Sequence, residues 1–158
     1  MFKMEVKMKI LFICTGNTCR SCMAETIFNQ VCNMDGLESF SAGVSIFPGS
    51  SVSKNASKLL IDRLGCDISK RSAVQLERKF IEDADLILAM SNSVKQYAIS
   101  NFGVPQNTTY TLNEYVDVIG EVSDPYGGDL STYKKTYEQI ENLINLLISK
   151  LKEGNGVS

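Results

Sequence analysis

Apolar and polar residues fall into two alternating kinds of pattern along the chain. From Lys9 the run KILFIC is continuously apolar over the length of one strand, the pattern of a strand buried on both faces of a parallel sheet. After a polar loop at 15–19, Ala24, Phe28 and Cys32, with Met23, Ile27 and Val31 beside them, recur four apart and share one helical face. SFSAG at 39–43 is the second strand; Ala56, Leu59, Leu60 and Leu64 then mark a helix that Gly65 ends. DLILAM at 85–90 is a third buried strand, a helix runs from about Asn92 to Asn101, and TTYTL at 108–112 is a fourth, β-rich strand. The chain closes with a long amphipathic helix whose stripe of Ile140, Leu143, Ile144, Leu147 and Leu151 belongs to the core. Strand and helix alternating in this way predict an α/β fold: a single three-layer domain over 8–154 with a central four-stranded parallel sheet and helices on both faces. Residues 1–7 (MFKMEVK) hold alternative methionines and are expected to be a short N-terminal extension, or an upstream start before Met8, without a function of their own.

Composition narrows the partners. The 158 residues suit one domain, since a folded unit usually holds roughly 100 to 200. No stretch approaches the roughly 18 apolar residues of a membrane span, and ILFIC is followed by a Gly, Asn and Arg loop rather than a small-residue cleavage site. No membrane and no secretion signal are expected, and the chain is expected to be cytoplasmic. A net charge of −2 gives no basic field for a polyanion, so nucleic acid is excluded as a partner. Five cysteines, odd in number and irregularly spaced, fit a reduced compartment with one or two thiols free for chemistry. The chain has no histidine. His-based acid–base pairs and Ser-His-Asp triads are therefore ruled out, and proton transfer falls to Asp, Glu, Lys, Tyr or Cys.

The candidate chemistry lies between the first strand and the first helix, where open parallel sheets bind ligands. In CTGNTCRS at 14–21 the backbone N–H groups of Thr15, Gly16, Asn17, Thr18 and Cys19, with the positive end of the helix, form an anion cradle. Gly16 and Asn17 tolerate the left-handed backbone such a cradle needs. Arg20 adds a planar fork of donors for two phosphoryl oxygens. Cys14, at the floor, feels the same amides and dipole, which favour a nucleophilic thiolate. Ser21 is placed to donate its hydroxyl to that sulfur and help it leave again.

The spacing of Cys14, Arg20 and Ser21 resembles the CxxxxxRS phosphate loop of the low-molecular-weight protein tyrosine phosphatase family. MAE at 23–25, SAG at 41–43, the strand and AM at 86–90 and DPYGG at 124–128 extend the resemblance over nearly the whole chain from Met8. It implies that Asp124 is the general acid and that no metal or organic cofactor takes part. It also implies that Asn17 and Ser41 hold the loop in shape and that Tyr126 contacts the substrate. Cys22 departs from the pattern, for the family usually has proline there; the chemistry does not require it.

Within the family the string CTGNTCRS is similar to that of the bacterial protein arginine phosphatases. Thr18 stands where tyrosine phosphatases usually carry a bulky aliphatic residue, and the resemblance implies that it selects phosphoarginine. Gly127 and Gly128 follow Tyr126 where tyrosine enzymes often have a second aromatic, so one aromatic wall is expected to be missing. The implied substrates are phosphorylated proteins, phosphoarginine first and phosphotyrosine as the alternative.

Other readings remain beside this one. Cys14 alone would suit a buried core position, and Asp124 alone a turn. Cys19 and Cys22 form a CxxC, but a zinc site lacks its second pair. Cys19 is expected instead to bridge to Cys14 on oxidation and protect it. An arsenate reductase on this fold needs further thiols downstream, and no cysteine follows Cys66. A thiol redox sensor or a phosphate-binding adaptor without turnover would have no need of Asp124.

Overall fold

A computed structural model of the protein describes residues 8–154; the N-terminal extension at 1–7 lies outside the described residues. Strand β1 (Met8–Cys14), helix α1 (Arg20–Val31), β2 (Leu37–Gly43), α2 (Lys54–Leu64), α3 (Arg78–Asp83), β3 (Leu86–Ala89), α4 (Asn92–Phe102), β4 (Thr109–Thr111), α5 (Leu112–Tyr115) and α6 (Leu130–Gly154) follow in order. The four strands form one sheet in the order β2-β1-β3-β4. All pairs are parallel, with Phe12 opposite Ser41 on one side and Leu88 on the other. The expected three-layer α/β architecture is the one found.

Alternate residues of the central strands feed two separate cores, which is why their apolar runs are continuous. Ile10, Phe12 and Cys14 of β1, with Leu86 and Leu88 of β3, pack under α1, α2 and α6. Leu11 and Ile13, with Ile87 and Ala89, pack on the opposite face with Val94 and Ala98 of α4 and with Phe80 and Ile81 of α3. Phe12 and Phe28 meet edge to face at 6.1 Å. This pair, worth about 0.5–1.5 kcal/mol beyond its burial, ties the strand entering the candidate loop to the helix leaving it.

Several expectations shift in detail. Met23, Ala24, Ile27 and Phe28 are fully buried, but Val31, expected on the same face, is exposed at the last turn of α1. Thr108 lies in a 3-10 turn before β4 rather than in the strand. Helix α3, six residues with none fully buried, was not expected, because so short a segment shows no helical period. Ser53 caps α2 by accepting from Ala56 N, and Gly65 closes it in a left-handed conformation at φ 67°, as expected for that glycine. Among the described residues no helix is long and apolar enough to cross a membrane, and no group of three or more His, Cys, Asp or Glu side chains could hold a metal ion.

Candidate active site

The floor of the site is built by the end of β1. Cys14 is its last residue, buried to 2 % exposure, and its sulfur meets two donors. Asn17 N–H donates to Sγ at 3.2 Å and the Ser21 hydroxyl lies 2.9 Å away. Ser21 Oγ accepts from Asn17 Nδ2 at 2.8 Å, which leaves its own proton for the sulfur. Both contacts aim a donor at the sulfur from inside the loop. Asn17 reaches this position at φ 55°, the left-handed region that asparagine enters more readily than most residues.

Beneath the loop lies a polar network that explains Asn17 and Ser41. Asn17 Nδ2 also donates to Ser41 Oγ at 3.0 Å, and its Oδ1 accepts from Arg71 at 3.0 Å and from Val74 N at 2.9 Å. Ser41 Oγ donates to Glu25 at 2.6 Å and accepts from Arg71 at 2.9 Å, and Arg71 closes the ring on Glu25 at 3.1 Å. The amide of Asn17, fully buried, thus has all its capacity filled, the condition under which a buried polar network rigidifies rather than destabilises. Sequence reasoning missed Arg71 and gave Glu25 no role; Glu25 stood in the MAE string, whereas nothing local marks Arg71.

Gly43 completes the support. A Cβ there would lie 2.6 Å from Thr15 O, 2.7 Å from Ile46 Cγ2 and 3.1 Å from Asn17 N, so the loop itself would have to move. Gly43→Ala is expected to cost about 1–3 kcal/mol by overpacking and to impair phosphate binding together with stability. A urea midpoint and an inhibition constant for inorganic phosphate, measured on the same protein, check this.

Arg20 opens α1 and is nearly buried. Its NH1 donates to Val122 O at 3.4 Å and its NH2 stands 3.7 Å from Asp124 Oδ2, while Nε has no acceptor among the described residues. A buried guanidinium N–H without a partner needs an explanation, and a ligand oxygen supplies one. Asp124 arrives from a distant segment clamped on two sides. Val122 N donates to Met90 O at 3.1 Å; Ser123 N donates to Gln139 at 3.0 Å, and its hydroxyl pairs with Thr136 at 2.8 Å. Asp124 Oδ1 accepts from Tyr126 N at 3.1 Å, which turns the chain so that the other oxygen faces Arg20.

One cleft of about 590 Å³ is lined by Cys14, Thr15, Gly16, Asn17, Thr18, Cys19, Arg20, Asp124 and Tyr126, joined by Ser45, Phe47 and Ser50. The sequence-derived residues therefore converge, with Ser21 and Ser41 beneath rather than on the wall. Phe47 was missed, and it corrects the expectation of a missing aromatic wall: its ring and that of Tyr126, both largely exposed, give the cleft two aromatic sides from different loops. Gly127 also has a backbone reason, φ 79°, where a side chain would be strained. Thr18 is fixed through its carbonyl, which accepts from Ser53 N at 2.8 Å. Burial, with the nearby Cys14 sulfur second, pushes the Cys19 thiol up to about 11, so it stays protonated at neutral pH.

A thiol at the end of a buried parallel strand, cradled by a loop and faced by an arginine at CxxxxxR spacing, defines the class of phosphate-loop thiol proteins. Residues 9–156 match the model of the low molecular weight phosphotyrosine protein phosphatase family, and the chain belongs to that family. It is 38% identical over 149 residues to a protein-arginine-phosphatase of Bacillus subtilis, covering 92% of this chain and 98% of that one. It is 41% identical over 140 residues to a low molecular weight protein-tyrosine-phosphatase of Staphylococcus aureus, covering 87% and 94%. A solved structure of an arginine phosphatase variant, with a phosphorylated active-site serine in place of cysteine, superposes with a TM-score of 0.86 at 36% identity, covering 96% of this chain and all of that one.

Proposed function

We propose that the protein is a cysteine-dependent protein phosphatase that works through a phosphocysteine and acts on phosphoarginine in preference to phosphotyrosine. The observation that carries the mechanism is the Cys14 sulfur held by Asn17 N–H and the Ser21 hydroxyl, in the same cleft as the unpaired Nε of Arg20. Cys14 attacks phosphorus in line while Arg20 and the loop amides take the charge on the equatorial oxygens. The incoming phosphoryl group replaces Asp124 as the counter-ion of Arg20. Asp124, released from Arg20, takes up a proton from solvent and delivers it to the leaving group, and the carboxylate that results activates the water that hydrolyses the phosphocysteine. The phosphorylated active-site serine of the related variant supports transfer to this position. No metal or organic cofactor enters these steps. Phosphorylated proteins are the partners, and the cytoplasm is the compartment that suits a chain of five free cysteines.

Thr18 carries the choice of substrate. A small hydroxyl on the cleft wall leaves room for a hydrogen bond to a P–N centre, whereas a bulky aliphatic side chain would pack against an apolar ring. The B. subtilis relative agrees with the arginine reading. Phe47 and Tyr126 favour the tyrosine reading, since two rings can sandwich a phenyl group; a guanidinium also stacks on aromatic faces.

The test is kcat/KM on matched phosphoarginine and phosphotyrosine peptides, with the protein reduced and chelator present. Preference for phosphoarginine is expected, and Thr18→Ile should shift the ratio towards phosphotyrosine by about tenfold or more. Preference of the parent for phosphotyrosine would retain the mechanism and overturn the role given to Thr18. Phosphate binding without hydrolysis of either peptide would establish an adaptor instead. Cys19 has a second proposed role, reversible protection of Cys14 through a disulfide between them.

A further inference from the structure

We propose that Cys19 and Cys22 form a second redox site, a helix-start dithiol that takes the disulfide over from Cys14 and returns the catalytic thiol to its free form. The proposal rests on the reading of Cys14 as the nucleophile only where activity is the readout.

The placement is specific. Cys19 is the N-cap residue of α1 and lines the cleft, and Cys22 is the third residue of the helix. Cys22 is fully buried, and its Sγ donates to Cys19 O at 3.2 Å, so the side chain folds back over Cys19. Residues three apart in a helical turn have Cβ atoms about 5–6 Å apart, close to the roughly 3.5–4.5 Å that a disulfide requires. The N-cap, whose φ of −142° and ψ of −74° are not helical, can close the difference. Cys14, Cys19 and Cys22 belong to one buried cluster.

The sequence of steps balances. A hydroperoxide oxidises the Cys14 thiolate to a sulfenic acid and is itself reduced to water or alcohol. The Cys19 sulfur displaces that hydroxyl as water and forms the Cys14–Cys19 disulfide. The Cys22 sulfur then attacks Cys19, the bond to Cys14 breaks, and Cys14 leaves as a thiolate while the Cys22 proton passes to solvent. No further oxidant is consumed.

Direction follows from what each disulfide releases. Breaking the first frees a sulfur that has two donors in place to receive it, Asn17 N–H at 3.2 Å and the Ser21 hydroxyl at 2.9 Å. The second bridge joins two thiols that burial keeps protonated, Cys19 near 11 and Cys22 well above the ordinary range. Burial is the main cause of the raised Cys22 thiol, with the neighbouring Cys14 and Cys19 sulfurs adding to it, and the first disulfide ties up both of those sulfurs before Cys22 must attack.

The test treats reduced protein with one equivalent of hydrogen peroxide, quenches at intervals by alkylation and digests with trypsin. Cleavage after Lys9 and Arg20 places Cys14 and Cys19 in one peptide and Cys22 in the next. A Cys14–Cys19 bridge is thus internal to 10–20, and a Cys19–Cys22 bridge joins two peptides. The internal bridge should appear first and be replaced by the crosslink over roughly seconds to hours, with phosphatase activity returning in step and without added reductant. In Cys22→Ala the internal bridge should persist, with activity restored only by dithiothreitol. A crosslink that never forms in the parent, or recovery by Cys22→Ala at the parent's rate, would overturn the proposal. The mass readout stands even for a protein without turnover, so failure here and failure of the phosphatase reading are separable.

Discussion

Cys14→Ser is expected to lower kcat/KM on any phosphorylated substrate by at least roughly 10⁴-fold, as loss of a covalent nucleophile does elsewhere. The reason lies in what surrounds the sulfur. Asn17 N–H and the Ser21 hydroxyl are donors to the sulfur; neither can remove a proton from a serine, and the chain has no histidine to do so. The loop and Arg20 remain in place, so the inhibition constant of inorganic phosphate should change little. Rapid-quench kinetics, with mass analysis of the denatured protein, checks both halves: the parent should carry phosphate on 10–20 during turnover. Weakened phosphate binding in the variant would point to a disturbed loop rather than a lost nucleophile.

Asp124→Asn carries the second large effect. Loss of a positioned acid–base group typically costs 10²–10⁴-fold, and the loss should depend on the leaving group. A poor leaving group, such as the nitrogen of phosphoarginine once protonation is denied, should suffer the full effect, whereas p-nitrophenyl phosphate should suffer much less. The geometry limits the side effects, because Asn can still accept from Tyr126 N as Asp124 does at 3.1 Å. Only the pairing with Arg20 at 3.7 Å is weakened. Equal loss on both substrates would show that the residue positions Arg20 and does not transfer a proton. No loss on either would return the chain to the class of phosphate-binding adaptors.

Much of the fold was legible because it rests on periodicity. The continuous runs of β1 and β3 signalled strands covered on both faces, and the sheet has both faces covered. The stripe of α6 and the left-handed Gly65 were equally plain. Where the pattern was short it was silent or loose: α3 spans six residues, fewer than a period can declare, and β4, read from its β-rich composition as 108–112, spans only Thr109–Thr111. The Val31 error has a related cause, since a repeat of four drifts around a helix of 3.6 residues per turn and the last member leaves the buried face.

The phosphate loop is the part of the site that the sequence determined alone. Cys14, Arg20 and the residues between them are local in the chain, and the anion cradle is a property of a strand, a turn and a helix start. Asp124 entered through a resemblance and not through its own surroundings, because nothing at 124 refers to 14. Only the tertiary structure could decide what supports and borders the loop. Arg71 lies more than fifty residues from Asn17 yet donates to its side chain. Phe47 reaches the cleft from the loop after β2, and Val122 is pinned to the end of β3 before its carbonyl meets Arg20. These contacts cross the sheet order β2-β1-β3. Hydrogen bonds and packing between segments brought together by strand pairing carry no period and no local signature, so they exist only once the sheet has formed.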